Sequence, residues 1–178
     1  MASASIRVPG FAAWQPASAS GGLPVFGYTV QAVYPHDPLA FTQGLQYLDG
    51  VLYEGTGRHG QSSIRKVKLE TGEVLQQRAL PEEHFGEGIV VWQSDLIELT
   101  WQSQLAFVYD RTTFAPKRTF QYQGEGWGIT HDGANLIMSD GSAELRVLDP
   151  ATAAVFRSIS RANRAFQSVM IAAAARYE

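Results

Sequence analysis

The sequence predicts an all-β fold assembled from a repeated unit of four antiparallel strands. The first observation is a Gly-Leu or Gly-Ile pair that recurs at Gly44, Gly88 and Gly128, with spacings of 44 and 40 residues. The second is a further set of apolar pairs that keeps these spacings, at Leu52-Tyr53, Leu96-Ile97 and Leu136-Ile137. Self-similarity at such a period is typical of repeat architectures.

Each unit contains four strand candidates in the same order. The repeated glycine opens the first strand, and the second apolar pair marks the second. Third strands are predicted at 64–69, 105–110 and 145–149, and fourth strands at 74–80, 116–122 and 155–160. Turn residues such as Asp49-Gly50 and Asp132-Gly133 separate the first two strands and favour antiparallel meanders. Four strands in about 40–44 residues are typical of a β-propeller blade, and the alternative is a β-sandwich with accidental periodicity.

The two ends of the chain lead to further expectations. Residues 28–35 look like a fourth strand without a blade before it, the kind that closes a propeller ring. Propellers typically have about four to eight blades, so three units predict a truncated version of a longer ring. We expect a flexible leader at 1–24, the propeller portion at 25–160, and an atypical tail at 161–178 that is disordered or helical. That tail contains no Gly or Pro and is interpreted as a truncated or out-of-frame end.

Composition excludes several classes of function. The chain has 178 residues, a net charge of −3 and no cysteine. Disulfides, thiolate metal sites and cysteine nucleophiles are therefore excluded, and neither nucleic acid nor an anionic membrane is an expected partner. No apolar run approaches the roughly 18 residues of a membrane-spanning helix.

The repeat register predicts which side chains meet at one mouth of the propeller. The loop into each first strand and the loop between the second and third strands lie at the same end. Before the repeated glycines stand Gln43, Glu87 and Trp127, and Trp101 occupies a second-to-third loop. An amide, a carboxylate and two tryptophans can form a small binding pocket, whose aromatic walls would raise the pKa of Glu87 by desolvation.

Purely structural roles remain open for the same residues. Glu87 could be a solvated loop carboxylate and the tryptophans ordinary packing residues. Glu125 could be a second carboxylate of this pocket, although it is expected to face solvent or cap a turn. The four histidines show no metal-ligand spacing, so no metal or cofactor is expected. A metal-dependent propeller hydrolase would need several oxygen ligands on the axis, where only Glu87 and Gln43 are well placed.

Six strings, in order and at matching places in the repeat, resemble glutaminyl-peptide cyclotransferases of the plant and bacterial type. The resemblance runs from about residue 28 to residue 160, and the strings that carry it are Tyr34-Pro35-His36-Asp37-Pro38 with Phe41-Thr42-Gln43-Gly44-Leu45, Leu52-Tyr53-Glu54-Gly55-Thr56-Gly57, Phe85-Gly86-Glu87-Gly88-Ile89, Leu99-Thr100-Trp101, Gly124-Glu125-Gly126-Trp127-Gly128, and Met138-Ser139-Asp140-Gly141-Ser142. The resemblance implies a five-bladed propeller that needs no catalytic metal. It also implies an acyltransferase that converts the N-terminal glutamine of peptides or proteins to pyroglutamate and releases ammonia. A periplasmic or extracellular location would follow from the bacterial relatives.

The resemblance also assigns roles to matching positions. Glu87 would be the general acid/base, and Gln43 would hydrogen-bond the substrate. The walls would be formed by Phe41, Phe85, Trp101 and Trp127. The family's Asn-Glu-Leu-Glu stretch, a later tryptophan and a late lysine have no counterpart here, so the chain is expected to carry roughly half of the pocket, which leaves open whether it is active alone. The rival hypothesis is a non-catalytic β-propeller scaffold that binds peptides at its mouth.

Overall fold

The computed structural model describes residues 29–160 of a chain that divides into two units, residues 1–33 and 34–178. The strands of the described part all lie in the second unit, where they form three four-stranded antiparallel sheets. The predicted leader at 1–24 and tail at 161–178 lie outside the described residues.

Each sheet is a meander in which consecutive strands are hydrogen-bonded neighbours. The first sheet contains β1 Thr42–Leu48, β2 Val51–Thr56, β3 Ser63–Val67 and β4 Val74–Ala79. The second contains β5 Gly86–Trp92, β6 Asp95–Thr100, β7 Leu105–Asp110 and β8 Pro116–Gln121. The third contains β9 Gly128–His131, β10 Leu136–Ser139, β11 Glu144–Leu148 and β12 Val155–Ser160. The blades predicted from the repeat are confirmed.

The strand expected at 28–35 is not observed, because residues 29–35 have no regular secondary structure. A strand requires a hydrogen-bonded neighbour, and each described sheet pairs only its own four strands. Residues 29–35 therefore have no strand to pair with among the three described sheets.

The innermost strands of neighbouring blades, β1, β5 and β9, lie side by side. The N–H of Gly88 donates a 2.8 Å hydrogen bond to the carbonyl of Trp127, which links the second blade to the third. A Cβ at Gly88 would lie 2.6 Å from that carbonyl oxygen, closer than real Cβ atoms approach. The repeated glycine therefore marks the contact between neighbouring blades, which explains its periodicity.

Two apolar clusters lie between the blades. Ile64 and Tyr53 of the first blade pack with Leu96 of the second, and Ile97 and Leu99 pack in a cluster with the third blade. Successive residues of β6 thus point towards opposite neighbours, and all from Leu96 to Thr100 are buried. A strand covered on both faces appears as a continuous apolar run, which explains the imperfect alternation in the sequence. No helix among residues 29–160 is long and apolar enough to cross a membrane.

Candidate active site

Two predicted site residues, Gln43 and Glu87, lie on irregularities of the innermost strands. The pairing of β1 with β2 shifts between Thr42 and Gly44, and that of β5 with β6 shifts between Gly86 and Ile89. β-Bulges re-aim side chains and are common next to active sites. The local sequence thus turns an amide and a carboxyl away from the regular alternation of their strands.

Three aromatic rings form a continuous edge-to-face series across the first two blades. The ring centroids of Phe41 and Phe85 are 6.2 Å apart, and those of Phe85 and Trp101 are 5.8 Å apart. A Cβ at Gly57 would lie 2.4 Å from Cε1 of Phe85 and 3.0 Å from Cγ of Gln43. The absence of a side chain at Gly57 therefore lets Phe85 reach across from the second blade and lie beside Gln43.

Glu125 lies between two tryptophans, contrary to the expectation that it faces solvent or caps a turn. Its Oε2 accepts hydrogen bonds from Nε1 of Trp101 at 2.8 Å and from Nε1 of Trp127 at 2.7 Å. Half-buried indole N–H groups usually have an acceptor. Glu125 has no counterpart at this position in the other blades, so the repeat register could not place it here.

The two carboxyl groups of the site titrate in opposite directions. Burial raises the pKa of Glu87 to about 8, and the charge of Glu125 contributes to the same shift. The indole N–H groups of Trp127 and Trp101 lower the pKa of Glu125 below its ordinary value. At neutral pH the site therefore holds one ionised carboxylate and one carboxyl group that is close to its titration point.

The six sequence-predicted residues all lie at the same end of the blades, at the beginning of the first strands, just before them or just after the second strands. We call Glu87, Glu125, Phe85, Trp101 and Trp127 the acid–aromatic cluster. Phe41 and Gln43 continue this cluster over the first blade, and Phe41 remains 43% exposed. Their individual roles in binding or catalysis stay predictions.

A third carboxyl group, Glu98, lies beneath the cluster and was missed by the sequence analysis. Its side chain is completely buried, and neither carboxyl oxygen has a hydrogen-bond partner among the described residues. A Cβ at Gly86, next to Glu87, would lie 2.6 Å from Glu98 Oε1. Burial raises the pKa of Glu98 well above its ordinary value. The repeat could have indicated it, since Glu98 occupies the register position of Glu54.

Within residues 29–160, no group of three or more histidine, aspartate or glutamate side chains is placed to hold a metal ion.

Three four-stranded blades joined through their innermost strands define a β-propeller, and the acid–aromatic cluster lies at one mouth of its blades. The sequence matches the glutamine cyclotransferase family over residues 4–171. Because this match covers nearly the whole chain, the protein belongs to the glutamine cyclotransferase family.

Individual relatives agree with this assignment. The chain is 40% identical over 125 residues to the glutaminyl-peptide cyclotransferase of Arabidopsis thaliana, an alignment that covers 69% of this chain and 39% of the plant protein. It is 32% identical to the Myxococcus xanthus glutaminyl cyclase in a superposition with TM-score 0.65, which covers 71% of this chain and 53% of that one. The WD40 domain of Neurospora crassa Pan2 shares the fold alone, since it is only 11% identical to this chain. Their superposition has a TM-score of 0.56 and covers 67% of this chain and 36% of that one. The chain thus spans about two fifths to one half of the length of its two cyclotransferase relatives.

Proposed function

We propose that the chain carries the acid/base half of a glutaminyl-peptide cyclotransferase site and acts on peptides or proteins with N-terminal glutamine. The observation that carries this proposal is the half-buried Glu87 carboxyl at the irregular start of β5, where burial and the charge of Glu125 raise its pKa to about 8. Membership of the family and the plant and bacterial relatives support the same reaction.

The pKa of Glu87 suits the proton that this reaction must move. A peptide α-amine has an ordinary pKa of about 7.7–8.0, close to that of Glu87. At a pH near 8, both the ionised form of Glu87 and the neutral α-amine of the substrate are therefore well populated. General acid/base catalysis is most efficient when the catalytic pKa lies near the working pH.

Ring closure then proceeds with balanced proton transfers. The α-amine nitrogen attacks the γ-carboxamide carbon, and Glu87 accepts a proton from that nitrogen. Glu87 returns a proton to the departing amide nitrogen as the bond between carbon and nitrogen breaks, and ammonia leaves. Because nucleophile and electrophile belong to the same residue, holding them in a near-attack geometry supplies much of the acceleration.

The remaining members of the site have supporting roles in this proposal. The ionised carboxylate of Glu125 attracts the substrate ammonium and fixes the indole rings of Trp101 and Trp127 through their N–H groups. Gln43 hydrogen-bonds the substrate. Phe41 and Phe85 provide apolar walls that exclude water from the reacting amide.

The test is ammonia release from Gln-Ala by the full chain and by Glu87→Gln. We expect turnover in the parent and a loss of at least about a hundredfold in the variant. Glu73→Gln is the matched control, since Glu73 lies in the exposed turn between β3 and β4 at the opposite end of the blade. Equal turnover by Glu87→Gln would contradict the proposal. A folded chain that binds Gln-Ala without turnover would favour the peptide-binding scaffold.

A further inference from the structure

Arg58 follows the second strand of the first blade, at the same end as the acid–aromatic cluster. Its backbone has a φ of 86°, in the left-handed region that non-glycine residues rarely occupy. Strained backbone of this kind persists only when its surroundings fix it, and it is concentrated at functional sites. Five other non-glycine residues of the described range have a positive φ in turns between strands, so the backbone of Arg58 indicates a fixed turn, and the role of its side chain depends on its contacts.

Hydrogen bonds connect the backbone of Arg58 to the strand that carries Glu87. The carbonyl of Arg58 accepts from the N–H of Gln61 at 3.0 Å and from Oγ of Ser62 at 2.8 Å. Ser62 Oγ in turn accepts a 2.9 Å hydrogen bond from the N–H of Gly86. The conformation of the arginine loop is thereby coupled to the residue next to Glu87.

The guanidinium group of Arg58 lies over the ring of Phe41, 4.7 Å from its centroid. This cation–π contact leaves the N–H groups at the edge of the guanidinium plane open to another partner. The two arginines at the middle of third strands are already engaged, Arg65 with Asp37 and Arg146 with Asp140. Arg58, by contrast, makes no ion pair with any residue in the described range.

The charges of the site are arranged along the aromatic series. The guanidinium of Arg58 lies at the Phe41 end of the series, and Glu125, which is bonded to Trp101 and acts on Glu87 through its charge, lies at the other end. A bound peptide would place its α-amine at the carboxyl groups and extend past Phe41. Since an extended chain advances about 3.3–3.6 Å per residue, roughly its second to fourth residues would meet Arg58.

We infer that Arg58 is a specificity-determining residue that favours peptides with a carboxylate shortly after their N-terminal glutamine. This inference rests on the proposed function, because it assumes that the peptide amine lies at Glu87 and Glu125. The carboxylate can be an acidic side chain or the C-terminus of a short peptide, and the guanidinium fork accommodates either.

The test compares Gln-Ala-Glu-amide with its neutral isostere Gln-Ala-Gln-amide. Binding is followed by the fluorescence of Trp101 and Trp127 in a Glu87→Gln background, where the peptide is not consumed, so the result does not depend on catalysis. We expect the acidic peptide to bind about two- to fivefold more tightly, the range of an exposed ion pair. Arg58→Gln should remove this difference and Arg58→Glu should reverse it.

Arg157→Gln is the matched control, because it removes the same charge from the exposed outermost strand β12 and should leave the preference unchanged. The preference should also shrink at high ionic strength. Equal affinities of the two peptides in the parent, or binding of neither, would overturn the inference. Turnover of Gln-Ala, measured separately, reports on the proposed function alone.

Discussion

The indole N–H of Trp101, in the second blade, donates a 2.8 Å hydrogen bond to Oε2 of Glu125, at the entrance to the third blade. The same oxygen accepts from the indole of Trp127. One carboxylate thereby fixes two aromatic rings from different blades and adds a negative charge beside Glu87. The position of the rings and the pKa of Glu87 are thus coupled through Glu125.

The first prediction concerns Glu125→Gln. The charge of Glu125 contributes to the raised pKa of Glu87, so removing that charge should lower this pKa while burial keeps it above its ordinary value. We expect the limb of the pH profile of kcat/KM that reports Glu87 to move to lower pH. Glu73→Gln should leave the limb in place, and an unchanged limb in Glu125→Gln would contradict the coupling.

The second prediction concerns Gly57→Ala. A Cβ at this position would lie 2.4 Å from Phe85 Cε1, so the ring must move away from Gln43. We expect KM for Gln-Ala to rise several-fold with little loss of stability, because the backbone of Gly57 lies outside the left-handed region that disfavours alanine.

A double-mutant cycle with Phe85→Leu tests this cause directly. If the alanine acts by displacing the Phe85 ring, its effect on KM should largely disappear once that ring has been replaced. Additive effects of the two substitutions would mean that Gly57→Ala acts by another route.

The features of the fold that could be predicted are those that recur along the sequence once in each blade. Gly44 and Gly88 recur because adjacent innermost strands approach too closely for a Cβ, whereas a Cβ at Gly128 would meet only Ser139 Oγ of its own blade, at 2.9 Å. Turn residues recur as well, because each blade is a meander that needs turns between its four strands. Residues 29–35 form no strand because a closing strand needs the neighbouring strands of its own blade, and the three described sheets pair only their own four strands.

The site was predictable only where it follows the repeat. Gln43, Glu87 and Trp127 precede the repeated glycines, so their shared location could be inferred from register. Glu125 precedes Trp127 by two residues and has no repeat signal, and its place depends on side-chain hydrogen bonds between blades. Contacts of this kind have no period and leave no trace in a single sequence.

The third prediction concerns a polar contact between the first two blades. Oε1 of the buried Gln46 accepts a 2.6 Å hydrogen bond from the N–H of Val91 on β5. Gln46→Leu would leave that buried N–H without a partner, which costs about 1–3 kcal/mol. Denaturant unfolding should show this loss. Gln121→Leu, the same change on the exposed side of β8, should alter the free energy of unfolding by less than about 0.5 kcal/mol.

The fourth prediction uses two glutamates at the same register position, Glu54 in the first blade and Glu98 in the second. Glu54 Oε1 accepts from Thr42 Oγ1 at 2.6 Å and lies 2.8 Å from His36 Nε2, whereas both oxygens of Glu98 lack a partner within residues 29–160. The third blade has Met138 at this position, fully buried. The third blade therefore shows that a methionine can be buried at this register position.

Glu98→Met should stabilise the chain at pH 8 by about 1–3 kcal/mol, because it replaces an unsatisfied buried carboxyl group with an apolar side chain of similar size. Glu54→Met should destabilise it, since Thr42 and His36 lose their acceptor.

The parent should also lose stability as pH rises above 4.5, because the unfolded chain releases a proton that folded Glu98 retains. That slope should be smaller in Glu98→Met, as measured by denaturant unfolding from pH 5 to pH 9. Effects of the same sign for the two substitutions would contradict the assignment of Glu98 as an unpaired, neutral acid.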